Sequence, residues 1–485
     1  MTTGHAPAAR AASVRRRMHA AFIVCALLAA ARPWAAAAQD IRPLLEKQGR
    51  QLSQIQTQTA DPAASNGPRS PQPESAAAAM HEPAELTLRD ALSLALQRNP
   101  ELAAFGKERL AAEAAILQAG VLPNPVLEIA ADNLGNTRKA EAGERATAIQ
   151  IGQLIELGGK RMARIRGAAA SRDLANWDYE AKRIEILSLV AQRFVDVLTA
   201  QRRQVLAGEA LALATQVSDA VAKRVQAGKV SPVEETKAQL AQGGAQIELD
   251  QARREAISAR GTLVALWASH DPRFERAVGD LDKTLPLPAY EQLAGRVRDN
   301  PELARWSSEI ERRRALVDGE KAKAVPDVTL TAGITRFNQF DDRAYMIGIS
   351  VPLPLFDNNR GGILEASRRL DKAADEQRAA QSRVLAALAQ AYQRLAAIDK
   401  EIQTLRATLL PGAQSAFDAA TKGYQLGKFG FLDVLDAQRT LFQTRTQHLR
   451  ALADYQRGVS EIEHLLGGPL DTPQKNLNGQ QIRNQ

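Results

Sequence analysis

Two periodicities divide this chain. From Leu86 to Gly120, in LTLRDALSLALQRNPELAAFGKERLAAEAAILQAG, apolar residues return every three or four positions, the spacing of amphipathic helices. Thr87 and Asp90 are placed to cap the first of them reciprocally. Pro123 and Pro125 end the helical pattern, and the period then switches from 3.6 to 2. VLEIAADN and ATAIQIGQL follow as strands around a loop near LGNTRKAEAGER. The same switch recurs later. In VTLTAGITRF, Val328, Leu330, Ala332 and Ile334 alternate with Thr329, Thr331, Gly333 and Thr335. In YMIGISVPL, Tyr345, Ile347, Ile349 and Val351 alternate with Met346, Gly348 and Ser350, and the polar NQFDDRA joins the two strands. Each hairpin therefore has one apolar face and one face of small polar residues.

Very long helical stretches come next, about Arg161–Gln226 and Gly361–Leu426. At 1.5 Å per residue, either would reach on the order of 100 Å if unbroken. Val384, Leu388, Ala391, Leu395, Ile398, Ile402, Leu405 and Leu409 keep the 4,3 spacing of a coiled-coil seam. Pro411-Gly412 interrupts that pattern and is expected to bend the rod. AGKVSP and LGKFG then turn the chain back into helices ending near Trp267 and Leu466.

These elements read as one unit written twice. NPEL occurs at Asn99 and again at Asn300, 201 positions on. QLIELGGKR (Gln153–Arg161) falls on PLPLFDNNR (Pro352–Arg360) at an offset of 199, and Gly228-Lys229 falls on Gly427-Lys428 at the same offset. NPEL itself fits a helix-to-helix junction, with Asn99 and Asn300 capping and Pro100 and Pro301 at the first helical position. We read it as a local turn with no further role. The expected division is 86–275 for the first repeat and 280–468 for the second.

The apolar faces of the hairpins decide the architecture. The flanking helices look too polar to cover them, so strands of this length fit a transmembrane β-barrel around a wet lumen. Four strands leave two bare edges, which lipid does not tolerate. Closure requires several copies, and three would give twelve strands, enough for an aqueous pore. The fold class expected is mainly α with transmembrane β.

Composition sharpens this. Aromatics make up only 4% of 485 residues, too few for a compact enzyme core of that size. Arg15, Arg16 and Arg17 precede the apolar run Ala20–Ala31, with an A-x-A site at Ala36–Ala38, so residues 1–38 read as a secretory signal peptide. Five arginines and no acidic residue leave with it, and the formal charge falls from +8 to +3. That removes most support for a nucleic-acid partner. Cys25, the one cysteine, leaves as well, and it follows Phe22-Ile23-Val24 rather than a small residue, so we expect neither a disulfide nor lipidation. Residues 39–85 are rich in Gln, Pro, Ser and Ala and read as a flexible linker, with a short helix possible at Ile41–Gln56. Residues 469–485 read as a disordered tail.

No catalytic set, cofactor motif or metal cluster emerges. His81, His270, His448 and His464 lack a ligand-spaced partner and are read as surface or packing residues. LGGK (Leu157–Lys160) lacks the glycine spacing of a phosphate loop, and DNNRGG (Asp357–Gly362) reads as a turn rather than a calcium site. Asp433 and Asp436 stand on one helix face just past the turn at Gly427, where a solvated surface is the plain explanation. In a symmetric trimer the same residues would form rings of six carboxylates, the device by which pores select and gate. Glu234 takes the place of Asp433 in the first half and Lys237 that of Asp436.

Over roughly Glu85–Gly468 the chain resembles the TolC-like outer-membrane factors, through its paired helix–hairpin–helix halves, the P-N-P before the first strand and the GK(V/F) turns. LPNPVLEIAADN followed by QLIELGGKR is most similar to the outer-membrane components of cobalt–zinc–cadmium efflux systems. The resemblance implies a homotrimer: a twelve-stranded barrel in outer-membrane lipid continued by a helical tunnel through the periplasm. It implies a periplasmic adaptor and an inner-membrane, proton-driven pump of the RND type as partners, and passive export of divalent metal cations. It places adaptor contacts at Gly228, Lys229, Gly427 and Lys428, an acidic ring at Asp433 and Asp436, and a closure network at Glu234 and Tyr424. Phe429 stands where some relatives carry a gating arginine. The competing readings are an outer-membrane duct for multidrug efflux or type I protein secretion and, in a different class, a soluble periplasmic coiled-coil adaptor.

Overall fold

The computed structural model describes residues 83–132, 146–337 and 342–470. The expected signal peptide, nearly all of the linker, the two hairpin loops and the tail beyond 470 lie outside the described residues.

The chain begins with strand β1 (Glu85–Thr87) and helix α1 (Leu88–Arg98). The anticipated cap forms: the Asp90 amide donates to Thr87 Oγ1 at 3.3 Å, and the Thr87 amide to Asp90 Oδ2 at 3.2 Å. Helix α2 (Pro100–Ala119) leads through the proline pair into β2 (Val126–Asp132) and β3 (Ala146–Ile155). Helix α3 (Lys160–Gln226) then runs unbroken for 67 residues, and α4 (Pro232–Val264) returns beside it to Trp267. Strand β4 (Arg276–Val278) pairs in parallel with β1, a pairing too short for any periodicity to announce. Helices α5 (Tyr290–Arg296) and α6 (Pro301–Lys323) precede β5 (Val328–Phe337) and β6 (Asp342–Ser350). Helices α7 (Arg360–Thr404), α8 (Leu410–Gln425) and α9 (Phe431–Leu466) complete the described chain.

NPEL does more than turn the chain, which corrects the reading of it as local. Asn99 Oδ1 accepts from the Leu102 amide at 2.8 Å, capping α2, while Nδ2 donates to the Leu266 carbonyl at 2.8 Å. Asn300 repeats the arrangement: Oδ1 accepts from Glu302 at 2.7 Å, and Nδ2 donates to Leu465 O at 2.7 Å. Both asparagines are buried. Each satisfies an orphan amide at one helix start and an orphan carbonyl at another helix end.

The seam is also corrected in part. Val384, Leu388, Ala391, Leu395, Ile402 and Leu405 are buried, and Ile398 is partly so, but Leu409 is exposed. Leu405–Leu409 form a π-helical turn between α7 and α8. It ends just before Pro411, whose missing amide and ring would disrupt a regular α-turn there. The extra residue rotates Leu409 off the seam.

The four long strands form one antiparallel sheet in the order β2-β3-β5-β6, leaving β2 and β6 at its edges. Register places Ile129, Ile149, Ile334 and Tyr345 in one row, and Leu127, Ile151, Ala332 and Ile347 in the next row of the same face. The opposite face carries Glu128, Gln150, Thr331, Gly348 and Thr335. The apolar face is not folded against the chain's own interior: Ile347 is 83% exposed and Ile349 71%. The buried core lies elsewhere, where α1, α3, α7 and α9 meet around Leu94, Val190, Leu388, Tyr455 and Ile462.

Two matched corners join helices to sheet. Gly159 at φ +80 and Asn359 at φ +57 precede α3 and α7 in the left-handed conformation. At the first corner, Asp327 Oδ1 accepts from the Leu157 amide at 2.9 Å and from Lys160 Nζ at 2.6 Å. Gly158 is required beside it, since a Cβ there would meet Val325 and the Ala322 carbonyl. At the second, Asn359 Nδ2 donates to Glu320 O at 2.8 Å and Oε2 at 2.7 Å. The Asn359 amide also donates to Asp357 Oδ1 at 2.8 Å, so the first half of DNNRGG is an Asx turn, and Arg360, Gly361 and Gly362 already open α7.

Candidate functional site at the helical tips

The α3–α4 and α8–α9 hairpins end in two turns built alike. Gly228 (φ +66) and Gly427 (φ +72) adopt the left-handed conformation that ends a helix. The Lys229 amide donates to Arg224 O at 2.9 Å and the Lys428 amide to Gly423 O at 2.8 Å, closing both turns by the same bond. Gly228, Lys229, Gly427 and Lys428 are all exposed at these apices. Ser231 caps α4 by accepting from Val233 at 3.3 Å.

The two tips touch through Tyr424. Its hydroxyl donates to Glu234 Oε2 at 3.4 Å, joining α8 to α4. From α3, the Arg224 guanidinium lies over the Tyr424 ring at 4.4 Å and donates to Tyr424 O at 3.2 Å. Phe431 packs against the ring at 5.8 Å and is itself buried with Val221 and Ala238. Burial raises the Tyr424 pKa; Arg224 opposes this and Glu234 reinforces it, leaving the phenol protonated and able to donate.

The acidic pair lies on the first turns of α9, and both Asp433 and Asp436 are exposed. Asp433 Oδ2 accepts from the Gly430 amide at 2.8 Å, so one of its oxygens is committed to capping the helix. Glu234, expected to stand in the place of Asp433, is half-buried under Tyr424 instead. The structure thus brings Glu234 and Tyr424 together and leaves Asp433 and Asp436 outside that contact.

Sequence reasoning missed three members of this site. Arg224 was hidden in the polar pattern of a long helix. Phe431 was not singled out, because a lone aromatic at a helix start carries no spacing signal. Gly423 was unremarked, yet a Cβ there would collide with the Phe429 ring, which lies across it. Phe429 therefore has a seat of its own in this chain. Elsewhere, His448 lies beside Arg202, Asp282 and Arg445 at a cavity of about 490 Å³ between α3, α8 and α9, and burial holds its pKa down. No cluster of three or more His, Cys, Asp or Glu able to hold a metal occurs among the described residues.

Helical hairpins, a sheet with an exposed apolar face and paired tips match a known family. A family model described as "Outer membrane efflux protein" matches residues 91–269 and 297–468. The chain belongs to the outer membrane efflux protein family. The cobalt-zinc-cadmium resistance protein CzcC of Cupriavidus metallidurans is 41% identical to it over 79% of this chain and 90% of that protein. The nickel-cobalt-cadmium resistance protein NccC of Alcaligenes xylosoxydans xylosoxydans is 29% identical over 60% of this chain and 66% of that protein. Among solved structures, CusC superposes with a TM-score of 0.70 at 19% identity, covering 79% of this chain and 92% of that one. VceC of Vibrio cholerae superposes with a TM-score of 0.66 at 22% identity, covering 79% and 97%. The protein is thus an outer-membrane efflux channel that extends into the periplasm, homologous to components of heavy-metal resistance systems. Its family membership replaces the reading as a soluble adaptor.

Proposed function

We propose that the protein is the passive outer-membrane duct of a tripartite pump that exports divalent heavy-metal cations. The observation that carries the cargo is the 41% identity to CzcC across nearly its whole length. In this reading three chains close a twelve-stranded barrel, with the exposed apolar rows against lipid and the Thr and Gly face toward water. The helices continue that lumen through the periplasm. Energy enters at an inner-membrane RND pump, and a periplasmic adaptor links that pump to the tips. The protein performs no chemistry on its cargo. A sealed, wet route needs no ligand cluster, so selectivity for the metal rests with the pump.

The internal repeat supports this design. The family match falls in two segments, and the capping asparagines, the corner residues and the apical glycines correspond between them. We assign 86–275 and 280–468 as the two repeats, preceded by a signal peptide (1–38) and a linker (39–85) and followed by a tail (469–485).

At the tips, Gly228, Lys229, Gly427 and Lys428 form the adaptor-contacting apices, and the Tyr424–Glu234 bond holds the closed state. Asp433 and Asp436 line the mouth as acidic rings. Adaptor binding would favour a state in which α8 and α9 swing away from α4, a population shift set by the adaptor's preference for that state.

Deleting the gene and measuring growth on zinc, cobalt, cadmium, copper, nickel and a panel of antibiotics tests the cargo. Sensitivity confined to divalent metals is expected. Sensitivity to antibiotics with unchanged metal tolerance would assign the duct to a drug pump.

A further inference from the structure

Cross-strand register sets two arginines side by side at the far end of the apolar face. Arg336 on β5 is the direct partner of Arg343 on β6, and both are exposed. Strand parity places them on the face of Ile334, Tyr345 and Ile347, not on the Thr and Gly face. They occupy the row immediately beyond Ile334 and Tyr345, at the end of the hairpin remote from the helices. Two cations side by side on a lipid-directed face suit a level of the membrane at which anions stand.

Dimensions say which anions. From Val328 to Arg336 the strand advances eight residues, about 27 Å at roughly 3.4 Å per residue. A tilt of about 40° reduces this to about 20 Å of height, close to the apolar band of an outer-membrane barrel. The other end of the band is marked by Leu353, Leu355 and Phe356, which are exposed, Phe356 completely. Val328 follows α6, and β6 leads to α7, so with the helices in the periplasm the arginine row lies at the outer leaflet. Headgroup phosphates of that leaflet stand at this level.

We propose that Arg336 and Arg343 form a phosphate clamp for a phosphorylated glycolipid of the outer leaflet. The clamp rests on the barrel reading above. Guanidinium groups recognise phosphate oxygens through paired N–H donors, and two adjacent forks match one phosphate better than either alone. The acyl chains of the same lipid would lie down the rows of Tyr345, Ile347 and Ile349, which continue the face beneath the clamp. One lipid molecule thereby contacts both the charged and the apolar part of a single hairpin, and the clamp fixes how high the barrel rides in the membrane.

The test uses the full chain in detergent, carrying Ile347→Trp as a reporter, with fluorescently labelled hexa-acylated lipid A as probe. Lipid A with both phosphates should bind at least ~10-fold more tightly than the same lipid with its phosphates removed. Arg336→Gln with Arg343→Gln should abolish that preference, and Lys at both positions should restore part of it. Millimolar inorganic phosphate should compete poorly, which separates a lipid site from a free-phosphate site. Equal binding by the Gln pair and the unsubstituted arginines, or displacement by inorganic phosphate alone, overturns the clamp. Quenching of the introduced tryptophan by brominated acyl chains after reconstitution, measured against the chain without Ile347→Trp, checks the barrel itself in every variant. Quenching with no phosphate preference sinks only the clamp, whereas absence of quenching sinks the barrel reading and the clamp with it.

Discussion

Tyr424 and Glu234, 190 residues apart in the chain, meet through a 3.4 Å hydrogen bond that ties the tip of one helical hairpin to the other. The bond is weakly anchored at its acidic end and strongly at its phenolic end, where Arg224 and Phe431 hold the ring. Tyr424→Phe keeps the ring and removes the donor. A loss of about 1 kcal/mol from the closed state is expected, a shift of about 5-fold toward the open one. Single-channel recordings in planar bilayers should show more frequent full-conductance openings, and Glu234→Gln should show a smaller change. Because the Tyr424 pKa is raised, its share of closure is present at neutral pH and is lost as pH rises through the folded-state value. The Phe variant should therefore lose the alkaline part of the opening profile.

Asp433→Asn with Asp436→Asn tests the acidic mouth. Divalent cation block of the open pore should weaken by about 10-fold, because in the proposed trimer the substitution removes six charges from the entrance. Asp433→Asn alone should also loosen the α9 cap by roughly 0.5–1 kcal/mol, whereas Asp436→Asn should leave stability unchanged. Unchanged block in the double variant would remove the pair from the pore.

Gly423 and Phe429 make a seat that only glycine permits. Gly423→Ala should displace the ring and loosen the apex, seen as at least ~3-fold faster tryptic cleavage after Lys428, an effect near ~0.7 kcal/mol. In a Phe429→Ala background the same substitution should add nothing, since no ring remains to displace. Equal effects in both backgrounds would show that the seat is unimportant.

Much of this fold could be read from the residues, and the part that could not has a common cause. Thr87–Asp90, the asparagine caps and the apical glycines act within a few residues, so local spacing announces them. The strands were legible because alternation survives whichever face meets solvent. Leu409 misled because a π-turn breaks the phase, and its cause, Pro411, lies beyond the pattern it disturbs. Arg224, Gly423 and the second bonds of Asn99 and Asn300 serve partners that lie far off along the chain or are recognisable only by shape, and no periodicity carries that information.

The asparagine clamps give the stability prediction. Asn300→Ala removes the α6 cap and leaves the Leu465 carbonyl short of a donor, for a cost of about 2 kcal/mol. Asn300→Ser keeps a capping oxygen but cannot span to Leu465, so about half of that loss is expected. Thermal melting of the detergent-solubilised protein distinguishes the two. Equal melting temperatures for the Asn300→Ser and Asn300→Ala variants would mean that the cap contributes nothing.

The account stands on the exposed apolar sheet with two open edges, β2 and β6, finding its missing partners in other copies of the chain. Native mass spectrometry of the protein, extracted from the outer-membrane fraction and released from detergent, measures this directly. Particles of three chains are predicted, and they should survive release because the closed barrel leaves no strand edge bare. Particles of a single folded chain would contradict the account.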